Sequence, residues 1–161
     1  MEEKTIITFF LFYIFVLPIC LLLHEVGHGI GVVLSSKSHA RIYLGNWNKD
    51  NKQNFIIGRL HFHIRWSHFG YCSWDGSLNK QQRIFSLAGG PVMSFLLVCL
   101  FVFLKQEITQ VFMSSIINGV VLCNIFIFVS SVMPFPYPRW AGPLRNYPSD
   151  GLQLLRLLRE K

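Results

Sequence analysis

Two histidines and a glutamate define the chemistry this chain could perform: His24-Glu25-Val26-Gly27-His28. Residues four apart on a helix project from one face, about 40° apart at ~3.6 residues per turn. His24 and His28 can therefore share one metal ion through neutral ring nitrogens. Glu25 falls roughly 100° from His24 and roughly 60° from His28, so it can lean over the metal without ligating it. A carboxylate in that position suits a general base for water activated by a metal, the chemistry of zinc-assisted hydrolysis. The setting is unusual, because the motif lies within Ile6 to Leu34, an almost unbroken apolar run. A lone histidine there is ordinarily a satisfied core residue, but a glutamate beside it is costly in hydrocarbon and marks function.

The elements that must position these groups are apolar. Of 161 residues, 52% are hydrophobic and 14% charged, against about 25% charged in soluble domains. The length suits a single domain, 1–161, and the composition a polytopic α-helical membrane protein. Three segments reach the ~20 residues a membrane helix needs: 6–34, 84–104 and 108–133. The acidic leader, long apolar run and lack of a small-x-small site lead us to expect that the first span stays attached. The four cysteines, Cys20, Cys72, Cys99 and Cys123, form no C-x-x-C pair, so neither a disulfide framework nor a cysteine metal cluster is expected.

The net charge of +7 lies in the stretches flanking the spans, with no nucleic-acid recognition motif, and reads as topology information. The loop 37–83 and the tail carry most of the lysines and arginines, while the connection between spans two and three offers Lys105. By the positive-inside rule the loop and tail are cytoplasmic and the N-terminus is outside. His24 and His28 then lie six to ten residues before the cytoplasmic end of span one, roughly 9–15 Å deep. Within the loop, Arg59 to Trp66 alternates polar and apolar residues, and 40–44 and 69–74 are plausible partner strands. We expect a small membrane-associated sheet against the cytoplasmic face. His61 and His63 fall on its polar side, where a solvated face explains them better than a second metal site.

A catalytic zinc takes three protein ligands and leaves one position open. Of the carboxylates outside the motif, Glu2, Glu3 and Glu107 are on the wrong side, Asp50 and Asp75 lie in the loop, and Glu160 is at the chain end. Asp150 follows span three and a proline-rich stretch, directly before Gly151 and a short apolar helix within 149–160. It is the best-placed third ligand, with Gly151 letting the backbone turn tightly beside it.

H-E-x-x-H in the first span, Ala88-Gly89-Gly90-Pro91, and the run from Pro134 to Ser149-Asp150-Gly151 together resemble the site-2 protease family of intramembrane zinc metalloproteases. The resemblance covers nearly the whole chain and suggests a minimal bacterial-type member reduced to a three-helix catalytic core. It implies one Zn2+ per chain held by His24, His28 and Asp150, with Glu25 as catalytic base. It also implies hydrolysis of peptide bonds within or beside transmembrane segments of membrane-embedded protein substrates, with a regulatory membrane protein as a further partner. The family usually carries Asn three residues before the proline that precedes its D-G; here Ser131 holds that place and Asn124 lies two turns earlier on the same face. Both are candidate substrate contacts. Pro18 is expected to kink span one, and the sheet to pair with an extended substrate. The alternative function is a membrane protein that binds metal without proteolysis, a transporter subunit or an inactive regulatory relative.

Overall fold

In the computed structural model, which describes residues 2–46, 50–139 and 141–160, the three apolar runs become three long helical columns. The first is continuous through α1 (Glu2–Leu11), a π-helical turn (Phe12–Val16) and α2 (Leu17–Ser35). The others are α3 (Lys80–Lys105) and α4 (Val111–Val132). All three are long and apolar enough to cross a membrane, the first over Phe9–Ser35. Lys49 and Lys161, which enter the charge argument above, lie outside the described residues.

Helix ends depart from the apolar runs for local chemical reasons. α3 starts four residues before its first span residue because Asn79 caps it. The Asn79 carboxamide accepts the Gln82 N–H at 2.9 Å while the Gln82 side chain accepts the Asn79 N–H at 2.9 Å, a reciprocal box that satisfies two otherwise orphaned donors. At the C-terminal end of α2, the Arg59 guanidinium donates to the Val33 and Ser36 carbonyls and Gln82 donates to Ser35. A cation at that end also opposes the helix dipole.

α2 and α3 pack backbone to backbone. A methyl group on Gly27 would overlap the Gly89 carbonyl and sit 2.6 Å from Met93 Cβ, and one on Gly31 would overlap the Phe85 carbonyl. Small residues at such crossings let apolar helices approach closely enough to gain dispersion contacts along their length.

Strands β1 (Ala40–Leu44), β2 (Phe55–Ile57), β3 (Leu60–Ile64) and β4 (Gly70–Trp74) form one sheet in the order β2-β3-β1-β4. β1 and β3 are parallel, and the other pairs are antiparallel. Ala40, Ile42 and Leu44 are fully buried on one face of β1, and Ile42, Phe62 and Cys72 form a core with Val32 of α2. The sheet flanks α2 instead of capping its end. Arg59 is at the helix C-terminus, Gly70 lies against Glu25, and the Trp66 indole reaches the Ile14 carbonyl. Gly29 makes this possible, since Ile42 and Leu60 side chains fill the space where its Cβ would be. β2 is the strand that alternation did not foresee.

After α4 the proline-rich stretch folds back on itself. The Tyr137 N–H donates to the Tyr147 carbonyl at 2.8 Å, the Asn146 N–H to Tyr137 at 2.9 Å, and the Ser149 N–H to Phe135 at 3.1 Å. The Ser149 hydroxyl accepts the Leu152 N–H and donates to the Met133 carbonyl at 2.6 Å. It thereby caps α5 (Asp150–Arg159) and ties it to the end of α4. Gly151 is itself helical, and its role is close approach: a Cβ there would overlap the Val132 carbonyl.

Candidate metal centre

Three ligand atoms converge where α2, α3 and α5 meet. His24 Nε2 and His28 Nε2 are 3.2 Å apart, and Asp150 Oδ2 lies 3.5 Å from the first and 3.3 Å from the second. His24, His28 and Asp150 are the one group of this kind among the described residues that could hold a metal ion. The triangle has the right size for zinc. Ligand bonds of about 2.0–2.1 Å in a tetrahedral site give ligand-to-ligand edges of about 3.3 Å.

The outer partners fix which nitrogens face the centre. His28 Nδ1 lies 2.8 Å from the Ser86 carbonyl, which can only accept, so Nδ1 carries the hydrogen and Nε2 presents a lone pair. The Gly90 N–H lies farther from the same nitrogen, at 3.3 Å, and does not alter that assignment. His24 Nδ1 pairs with the buried Ser94 hydroxyl at 2.9 Å. Both rings thus have the second partner that metal-ligating histidines use to hold orientation. Two imidazole lone pairs and a carboxylate oxygen pointed at one another repel unless a cation or proton lies among them. Asp150 shows the same balance. Burial alone would raise its carboxyl, but with a proton on the facing imidazoles the positive charge of His28 and the hydrogen bonds from both rings outweigh this and hold it well below the usual carboxylate range.

Gly90 supplies the room. A Cβ on it would overlap His28 Nε2 and stand 2.7 Å from His24 Nε2, so the α3 backbone forms one wall of the centre. Ser86, Gly90 and Ser94 are spaced by four residues and lie on one face of α3. Sequence reasoning identified the small residues as packing and missed the two serines, although this spacing was the available signal.

Glu25 is not one of the converging atoms. Its side chain enters a cavity of about 700 Å³ that His24, His28 and Asp150 also line. Gly70 leaves space for it, because a Cβ there would be 3.0 Å from Glu25 Oε1. All of β4 lines this cavity, and the folded-back stretch contributes Phe135, Tyr137 and Tyr147 opposite it. Tyr71 and Tyr147 meet edge to face at 6.0 Å. Burial pushes the phenols of Tyr71 and Tyr137 above their ordinary value, so both are neutral hydroxyls at physiological pH.

The remaining candidates separate. Ser131 is buried and lines the cavity beside Ser130, with its hydroxyl donating to the Phe128 carbonyl at 3.0 Å. Asn124 does not line it. Its amide donates to Cys20 Sγ at 3.3 Å and to Val120 at 2.9 Å, a contact between α4 and α2. His61 and His63 take local partners, Gln53 at 2.7 Å and the Asn51 carbonyl at 2.9 Å. No protein-family model, no curated protein and no solved structure matches the chain. What stands is a protein with three long apolar helices, a small mixed sheet and a buried triad able to bind a metal.

Proposed function

We propose that this protein is a zinc-dependent endopeptidase of the membrane, cutting peptide bonds within or beside transmembrane segments of substrate proteins. One observation carries the reading: a triad of zinc-like dimensions opens, beside Glu25, onto a cavity walled by an edge strand. His24, His28 and Asp150 would hold a zinc ion, which when bound would supply Lewis-acid activation of water and of a substrate carbonyl. Glu25 accepts a proton from the attacking water, whose oxygen adds to the carbonyl carbon. The C–N bond then breaks, and Glu25 returns the proton to the leaving amine. β4 is an edge strand with its outer backbone groups unclaimed by the sheet, so an extended substrate segment can pair with it. Pairing selects an unwound segment, because helical carbonyls are already hydrogen-bonded. In this reading the N-terminus is outside and the tail cytoplasmic, as the charge distribution implies, while the 37–83 stretch enters from the cytoplasmic side and folds along α2 as far as Ile14.

The test compares purified wild type with Glu25→Gln and Asp150→Ala for metal content and cleavage of a transmembrane model substrate. Near-stoichiometric zinc in wild type and in Glu25→Gln, with cleavage lost only in the latter, is the expected result. Cleavage that survives Glu25→Gln undiminished refutes the mechanism, and a well-folded wild type without affinity for zinc refutes the metal centre.

A further inference from the structure

We infer that Trp66 and His68 are positioning residues: they latch the turn between β3 and β4 onto a widened turn of the motif-bearing helix, and so hold the edge strand against Glu25. The catalytic consequence rests on the peptidase reading; the latch itself does not.

The helix has a defect at the point of attachment. Pro18 is buried and has no N–H, and the Leu17 N–H bonds to the Phe12 carbonyl five residues back. Pro18 therefore sends no hydrogen bond to Tyr13, its partner at π spacing, or to Ile14, its partner at α spacing. Two other donors take these carbonyls. Trp66 Nε1–H donates to Ile14 at 2.7 Å, and His68 Nε2, necessarily the protonated nitrogen because a carbonyl only accepts, donates to Tyr13 at 3.0 Å. The rings add contacts at the same turn. His68 stacks on Tyr13 at 4.2 Å and Trp66 meets Phe15 edge to face at 6.0 Å. Both side chains remain exposed, so it is the hydrogen bonds and ring contacts that hold them, not burial.

The position of the latch gives it consequence. His68 lines the cavity, and two residues later Gly70 begins β4 and packs on the Glu25 side chain. The Gly45 N–H closes the other side of the turn by donating to Phe69 at 2.8 Å. The start of β4 is thus pinned to the helix on one side and to β1 on the other. In apolar surroundings an unpartnered carbonyl is expensive, so releasing the turn exposes two acceptors at once and the closed arrangement is favoured.

The experiment measures amide hydrogen exchange over residues 70–74 in full-length, zinc-loaded protein in detergent. The variants are Trp66→Phe, His68→Phe, His68→Gln and Pro18→Ala, with zinc content and helical circular dichroism confirming the fold. Trp66→Phe and His68→Phe keep a ring and lose the donor, and each is expected to raise exchange about tenfold, the effect of roughly one hydrogen bond on local opening. His68→Gln retains an N–H and restores protection. Pro18→Ala restores a competing helical donor and also raises exchange; adding Trp66→Phe to it changes little more. Unchanged exchange in the Trp66→Phe/His68→Phe double variant overturns the latch, as does His68→Gln behaving like His68→Phe. If the exchange pattern appears and wild type cleaves nothing, the latch stands and the peptidase reading falls. If wild type cleaves, the donor-loss variants are expected to lower kcat at unchanged zinc content.

Discussion

Gly90→Ala is the sharpest single perturbation of the metal centre, because it adds one methyl group and removes nothing. That methyl would lie 2.7 Å from His24 Nε2 and 2.6 Å from His28 Cε1, whereas ordinary carbon contacts begin near 3.4 Å. His28 Nε2, which that methyl would overlap, must therefore retreat by roughly 1.1 Å and His24 Nε2 by roughly 0.7 Å, several times the ~0.2 Å latitude of a ligand distance. The rings cannot simply slide, since Nδ1 of each is held by Ser94 or Ser86. Loss of a supporting partner alone typically costs 10–100-fold in metal affinity, and direct displacement should cost more. We expect zinc affinity to fall at least about 100-fold, equivalent to about 2.7 kcal/mol. The assay is zinc competition against a chromophoric chelator, with thermal unfolding of the metal-free protein run in parallel. Overpacking should cost the metal-free fold about 1–3 kcal/mol, so affinity and fold effects are read separately. A Gly90→Ala protein that binds zinc as tightly as wild type would refute the assignment of these nitrogens to the metal.

Two further outcomes follow from the same geometry. Ser94→Ala removes the partner that orients His24, and zinc affinity in the same competition assay should drop about 10–100-fold with helical content unchanged. Gly27→Ala drives a methyl into the Gly89 carbonyl where neither backbone can yield; it should destabilise the α2–α3 pair by about 1–3 kcal/mol or more in thermal unfolding, while the conservative Cys99→Ala at an exposed site should not.

The parts of the structure that were legible in the sequence are those set by local pattern. The apolar runs determined the three long helices because only length and hydropathy are needed for that. Alternation found β3, and the turn-bounded runs at 40–44 and 69–74 found its companions β1 and β4. Phe55–Ile57 is three exposed apolar residues, too short for a period, and was missed. Helix ends were displaced where capping by Asn79 outweighed hydropathy. The convergence of His24, His28 and Asp150 was legible because H-E-x-x-H fixes two positions and few carboxylates remain for a third. What pattern could not supply was tertiary. That the sheet runs alongside α2, that Ser86 and Ser94 stand behind the histidines, and that Asn124 is spent on Cys20 all depend on which helix faces which.

Asp150 is separated from His28 along the chain by α3 and α4, and this sets the order in which the triad can assemble. His24 and His28 emerge early, and Ser86, Gly90 and Ser94 become available once α3 has been made. The triad is still incomplete until α4 has been laid down and the following stretch has folded back. A chain folded only as far as α4 therefore presents the two imidazoles and Glu25 without Asp150, a site with at most partial hold on a metal. The triad closes only when α5 docks, because Asp150 is its first residue. Closure of the triad and docking of α5 are thus a single event, so affinity for a metal would report directly on assembly of the tertiary fold.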